Sequence, residues 1–361
     1  MNAADALLLN PGPVTLTDRV RGALAASDVC HREREFAELT LDVKRRLETV
    51  YAGASSYEAV LLTGSGTAAV EAMFGSLVPR TGKVLVLSNG VYGERIAAIL
   101  RAHGRTLEVL QQEWTSGLDL KAIERALAND RAVTHVAAVH NETTTGRLND
   151  LAGLGRICRE QGRPLVLDAV SSFGGEEIEW ERWNLAACAS TANKCLHGAP
   201  GIAFVLARKD LLDAPSHAST LYLDLARYRK EQKQGWSPFT QATHVMRALQ
   251  EALRELADQG GWQARRERYR TLSSRVREGL RELGIETLLP TEAYSSMISS
   301  FRLPNGVSYA QLHDALREEG FVIYAGQGDL ARTIFRIANM GDLRDTDVER
   351  LLGACTHALR A

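Results

Sequence analysis

The sequence predicts an α/β protein: a mainly parallel sheet with helices on both faces, followed by a smaller C-terminal α+β domain. From about residue 36, short apolar runs alternate with amphipathic stretches, the pattern of repeated strand–helix units. From about residue 241 the texture changes to long helical repeats and then short, separated strand runs. At 361 residues the chain exceeds one average domain and suits two. The expected division is 1–245 for a large domain, its N-terminal segment packing near the site, and 246–361 for a small one.

In order, Phe36, Leu39, Val43, Leu47 and Val50 repeat at helical spacing. YEAVLL (57–62) reads as a strand, TAAVEAMFGSLV (67–78) as a helix and KVLVLS (83–88) as a strand. Strand-like runs recur at 106–110, 133–139, 164–168 and 202–206, with helical patterns between most of them. The amphipathic run after 241 is helical on both sides of Gly260 and Gly261. It leads to strands at 297–303, 321–325 and 333–338 and helices at 308–319 and 345–360.

Charge and composition exclude several classes. The 43 basic and 44 acidic residues nearly cancel, so neither a nucleic-acid-binding field nor an acidic tail is indicated, and a small-molecule ligand is favoured. The start, MNAADALLLNPGP, lacks a basic n-region and a long apolar run, and no run approaches the roughly 20 residues of a membrane span. The expectation is a cytoplasmic protein with no membrane partner. Five cysteines without CxxC spacing indicate neither a disulfide framework nor a zinc site, and no metal is expected.

The polar segments that could carry chemistry fall after strand-like runs. LNPGPVTLT (9–17) is a stiff loop in which Thr17 could cap a helix. TGSGT (63–67) lies between a strand and a helix, where the amides of Ser65, Gly66 and Thr67 would face an anion. It has neither the Lys of a P-loop nor a full GxGxxG, and it reads equally as a plain glycine turn. SNGVYGERI (88–96) presents Tyr92 for stacking or for packing, and HNETTTG (140–146) gathers hydroxyls, an amide and a carboxylate. Asp168 closes LVLD, where a buried carboxylate needs a cation, and Lys194 sits in the turn STANK where another strand would be ending. An acid and an amine sharing one cleft suit a pyridinium cofactor and a Schiff-base lysine; for either residue alone, a surface lysine or a capping acid would serve as well.

Together the segments LLNPGPVTLT, TGSGTAAVEA, SNGVYGER, HNETTTGRLND, LVLDAVSSFGG, STANKCLHGAPG and FRIANMG resemble the class V, fold-type I pyridoxal phosphate aminotransferases over nearly the whole chain. The resemblance implies pyridoxal 5'-phosphate as cofactor, with Lys194 as the Schiff-base lysine and Asp168 as the pyridinium partner. It implies Tyr92 as the stacking ring, Ser65, Gly66 and Thr67 at the phosphate, and Thr143 and Asn193 around the ring. Thr240 and Thr243 match a segment given to the phosphate of a neighbouring subunit, which implies a homodimer with shared active sites. Arg336, in IFRIAN, would grip the substrate anion, with Gly12 also at the substrate. Within the class the likeness favours the branch that moves an amino group from an aminophosphonate to pyruvate. An alanine or serine:glyoxylate aminotransferase would use the same lysine, aspartate and arginine. A cysteine desulfurase would need a mobile-loop Cys that Cys355 does not supply, and a cofactor-binding regulator without turnover is the reading from another class. CHREREF (30–36) departs from that branch by exchanging acidic residues for His31, Arg32 and Arg34. These either favour a more highly charged phosphonate or form a solvated face. His31, His140 and His197 lie near motifs and are expected to be structural.

Overall fold

A computed structural model describes residues 6–359 of the chain. The main sheet has seven strands: β1 (Tyr57–Gly64), β2 (Lys83–Ser88), β3 (Thr106–Gln111), β4 (Val133–Val139), β5 (Leu165–Asp168), β6 (Leu185–Thr191) and β7 (Gly201–Arg208). Their spatial order is β1-β7-β6-β5-β4-β2-β3; β7 runs antiparallel to β1 and β6, and the other pairs are parallel.

Except at β3, the strands of this sheet are covered on both faces, which is why runs such as YEAVLL and KVLVLS read as unbroken rather than alternating, whereas the edge strand β3, TLEVLQ, alternates and is only partly buried. Along β1, Ala59 and Leu61 enter the core that contains Phe36, Leu47 and Leu249, whereas Val60 and Leu62 enter the one that contains Met73, Phe74 and Ile96. Successive side chains leave a strand on opposite faces, so one run feeds both cores. β6 is the strand that the sequence pattern does not locate. Its residues, LAACAST, are small and lack the β-branched signature, yet all are buried, because helices press on it from either side.

The helices Thr243–Asp258 and Gly261–Glu282 meet at Gly260, which takes the left-handed φ of +94° that a side chain would resist. Met246, Leu249 and Leu253 of the first pack into the large-sheet core. Leu272, Val276 and Leu280 of the second pack beneath the small sheet of β8 (Ile298–Arg302), β9 (Tyr324–Ala325) and β10 (Ile334–Ala338), antiparallel in the order β8-β10-β9. The expected strand 321–325 is divided: Phe321 and Val322 pair with Leu7 and Leu8, while Tyr324 and Ala325 pair with β10. The N-terminal segment is thus stitched to the small sheet, and Ala338 N donates to Leu9 O at 2.7 Å. Thr17 caps the helix Asp18–Leu24 by accepting from Val20 N, and its hydroxyl donates to Glu255 Oε1 at 2.8 Å. No helix among the described residues is long and apolar enough to cross a membrane.

Candidate active site

Because β7 is antiparallel to both neighbours, β1 runs in the direction of β6, and the carboxyl ends of β1, β2, β4, β5 and β6 share one edge of the sheet. Ligands of open α/β sheets bind at that edge. Asp168 ends β5, Lys194 lies in the turn after β6, and the segments 63–67, 88–96 and 140–146 follow β1, β2 and β4.

Asp168 is only 5% exposed. Burial pushes its carboxyl up to about 6, against the pull of the Val170 N–H, 2.9 Å from Oδ1, and of the positive charges of Arg95 and Lys194. Burial likewise pushes the Lys194 ammonium down to about 8, bringing a nucleophilic neutral amine within reach of ordinary pH. Lys194 Nζ donates to Pro11 O, and Gly12 lies against the same side chain with a φ of +106°. A Cβ at Gly12 would stand 2.7 Å from Nζ, so the loop 9–17 can wrap the lysine only with glycine there.

Ser65, in extended backbone, opens the helix Gly66–Leu77 and makes no side-chain cap bond, leaving the first amides and two hydroxyls at the helix N-terminus. A Cβ on Gly66 would stand 2.7 Å from Val170 Cγ1, so this glycine lets the cradle close on the loop that follows Asp168. Tyr92 is half-buried in the first turn of the helix Val91–Ala102. That turn is held by Glu142, whose Oε2 accepts from Tyr92 N at 3.2 Å and Gly93 N at 3.3 Å and whose Oε1 accepts from Thr144 Oγ1 at 2.6 Å. Burial raises the Glu142 carboxyl to about 7 despite these donors.

Arg336, on β10, is 3% exposed and crosses to the large-sheet edge, where Nη1 donates to Thr143 O at 2.7 Å while Nε donates to Ala325 O at 2.8 Å. Gln327 Oε1 accepts from Nη1 at 3.3 Å, and no carboxylate pairs with this guanidinium among the described residues. Asn193 Oδ1 accepts from Thr191 Oγ1 at 2.8 Å, bracing the turn before Lys194.

Lys194, Asp168, Gly12, Ser65, Gly66, Thr67, Tyr92, Thr143, Asn193 and Arg336 therefore gather at one edge. Thr240 and Thr243 make no hydrogen bond to any of them within the chain; their segment is anchored instead to the end of β1, where Thr63 Oγ1 meets Ala242 N and Gln241 Oε1, both at 3.0 Å. Of the basic loop, Arg34 pairs with Glu38 on an exposed helix face at 2.8 Å, and Arg32 donates to Ser237 O at 3.1 Å. His140 and His197 are buried; His197 Nε2 lies 2.9 Å from Gly341 N and 2.5 Å from Tyr269 Oη, the satisfied structural setting expected of it.

Three further residues belong to this edge. Asn141 is 2% exposed, and neither polar atom of its amide has a partner among the described residues. Glu142 organises two loops, and Arg95 sits one turn after Tyr92 with its Cζ 4.6 Å from the ring centroid. Asn141 and Glu142 lie inside HNETTTG, but only burial distinguishes them from ordinary loop polars. Arg95 is detectable only as the residue at i+3 from Tyr92, on the same helix face. The set fits pyridoxal phosphate: a helix start at Ser65 with no side-chain cap, a buried Asn141 amide without a partner among the described residues, and a carboxyl whose high pKa suits pairing with a ring nitrogen.

The Aminotransferase class-V family model matches residues 20–340, and the chain belongs to that family. It is 40% identical over 359 residues, 98% of this chain and 97% of the relative, to a 2-aminoethylphosphonate–pyruvate transaminase of Vibrio cholerae. One of the same description from Syntrophobacter fumaroxidans is 39% identical over 98% of this chain and 96% of its own. Among solved structures, an aspartate aminotransferase of subgroup IV from Thermus thermophilus superposes with a TM-score of 0.90 at 29% identity, covering 98% of this chain and 99% of that one. An alanine–glyoxylate aminotransferase from Nostoc gives 0.91 at 27% identity, covering 99% and 96%.

Proposed function

We propose that this class-V aminotransferase uses pyridoxal 5'-phosphate to move the amino group of 2-aminoethylphosphonate to pyruvate, giving phosphonoacetaldehyde and L-alanine. The observation that carries this reading is the near-full-length identity to relatives so described. Support from the chain itself comes from Arg336, a buried guanidinium without a carboxylate partner among the described residues, whose planar fork suits phosphonate and carboxylate oxygens alike.

The residues divide the work. When bound, the cofactor supplies an electron sink that makes the proton on the amine-bearing carbon removable. Asp168 would hold charge for the ring nitrogen, Ser65, Gly66 and Thr67 would hold the phosphate, and Thr143, Asn193 and Tyr92 would hold the ring. Arg336 and Gly12 orient the substrate anion towards Lys194. Lys194 Nζ would hold the cofactor and serve as the base that takes the proton from the substrate carbon, a role that a pKa near 8 permits at neutral to mildly basic pH. Thr240 and Thr243 serve the phosphate of a second copy of the chain. Exposed Leu221 and Tyr222, the latter packed 5.1 Å from Phe239, give that side an apolar surface for a homodimer.

The test is an amino-donor panel read by loss of the yellow absorbance of the bound cofactor. 2-Aminoethylphosphonate should convert fastest and pyruvate should restore the colour; preference for serine or alanine, with glyoxylate as acceptor, would replace this reading with the glyoxylate branch. Lys194→Ala should lack both colour and turnover. Inactive Lys194→Ala and Thr243→Ala subunits should regain activity on mixing if the sites are shared, and stay inactive if each chain is self-sufficient.

A further inference from the structure

A second arginine enters the site from the helix Val91–Ala102. Arg95 lies three residues after Tyr92, so both project from one face of the helix. Its guanidinium stacks on the Tyr92 ring, with Cζ 4.6 Å from the centroid, and Nη1 reaches Thr67 Oγ1 at 3.4 Å. It has no ion-pair partner among the described residues. The adjacent Glu94 is engaged elsewhere, accepting from Trp114 Nε1 at 3.1 Å, and Glu142 is occupied by backbone amides. Asp168 is near enough to feel the charge of Arg95 but forms no ion pair with it, so this half-buried cation at the edge of a cradle of amides and hydroxyls has no direct anionic contact among the described residues.

Two anions could supply that charge: the phosphate ester of the cofactor or the phosphonate of the donor. The placement favours the first. Arg95 touches Thr67, a cradle residue, whereas Arg336 enters from the small sheet, is tied to Ala325 O there and to Thr143 O in the loop after β4, and makes no hydrogen bond to the cradle among the described residues. TGSGT also has no lysine, and Arg95 is a charged side chain that touches it.

We propose that Arg95 is the charged member of the phosphate cradle, binding the phosphate ester of the cofactor alongside Ser65, Gly66 and Thr67. This rests on the cofactor reading above but not on the identity of the amino donor. A charge-assisted guanidinium–phosphate contact recognises the phosphate and ignores the aldehyde-bearing ring.

The experiment compares pyridoxal 5'-phosphate with pyridoxal, which has the ring and aldehyde but no phosphate. Each is titrated into cofactor-free wild type, Arg95→Gln and Arg95→Lys, with binding read from the yellow absorbance. Arg95→Gln should weaken pyridoxal phosphate binding about 10- to 100-fold and leave pyridoxal within about twofold, the size of one charged hydrogen bond. Arg95→Lys should recover part of the loss, and inorganic phosphate should compete with the cofactor less well in Arg95→Gln than in wild type. Equal weakening of both aldehydes would overturn the proposal, because Arg95 would then act only by supporting Tyr92. Unchanged cofactor affinity with a raised KM for the donor would also overturn it, assigning Arg95 to the substrate. Wild type that binds no pyridoxal phosphate would overturn the functional reading as well. Melting curves of the cofactor-free variants separate a folding defect from a binding one, since Arg95→Lys keeps the charge and most of the length.

Discussion

Gly12 and Lys194 compete for the same space: a Cβ added at Gly12 would stand 2.7 Å from Lys194 Nζ and 2.8 Å from Cε, at a backbone φ of +106°. Gly12→Ala should therefore displace the lysine and strain the loop together. We expect turnover to fall by about tenfold or more, since displacements near 1 Å at a reacting group have effects of that order, with a stability loss of about 1–3 kcal/mol. Turnover unchanged at saturating donor would show that the loop yields instead.

The amine of Lys194 should set the pH dependence of cofactor capture. Its folded pKa is lowered by burial to about 8, and only the neutral amine attacks an aldehyde. The rate of colour development after adding pyridoxal phosphate to the cofactor-free protein should rise through an inflection near pH 8. An inflection near the ordinary lysine value would mean that the ammonium is solvated in solution.

Asp168 should be a stability cost in the cofactor-free protein. Its folded pKa is raised from 3.8 to about 6, so the unfolded chain releases its proton first, and stability falls as pH rises between those values and stays lower above them. Asp168→Asn should thus stabilise the cofactor-free protein at pH 8 by up to about 3 kcal/mol, a gain that disappears near pH 3.8. The same substitution should lower turnover by about 10²-fold or more, because the charge facing the ring nitrogen is lost. Denaturant melts at several pH values and one rate assay test both halves. A variant that is less stable at every pH would contradict the burial argument.

Arg336→Lys should separate substrate binding from cofactor binding. A lysine cannot hold Ala325 O and Thr143 O and also present a planar fork. The donor KM should rise about 10- to 100-fold, the size of one or two charge-assisted hydrogen bonds, while cofactor affinity stays within about twofold. Equal loss of both would place Arg336 in the scaffold rather than at the substrate.

Much of this protein is written locally in its sequence. Apolar runs such as KVLVLS and YEAVLL specify buried strands, Thr17 specifies a helix start, and Gly260 a helix break, because each depends on only a few neighbouring residues. Motif resemblance also names Lys194, Asp168, Tyr92, Arg336 and the cradle as members of one site. The strand LAACAST, by contrast, exists because its small residues are buried on both faces, and no local propensity announces that.

The tertiary structure alone decided the electrical state of the site. Lys194 falls to about 8 and Asp168 and Glu142 rise to about 6 and 7 because distant segments exclude water from them, and desolvation is a property of the packed surroundings rather than of the residue. Arg95 and Asn141 follow the same rule. Both are ordinary polar residues in the sequence, and only the fold leaves one without an ion pair and the other without a hydrogen-bond partner among the described residues.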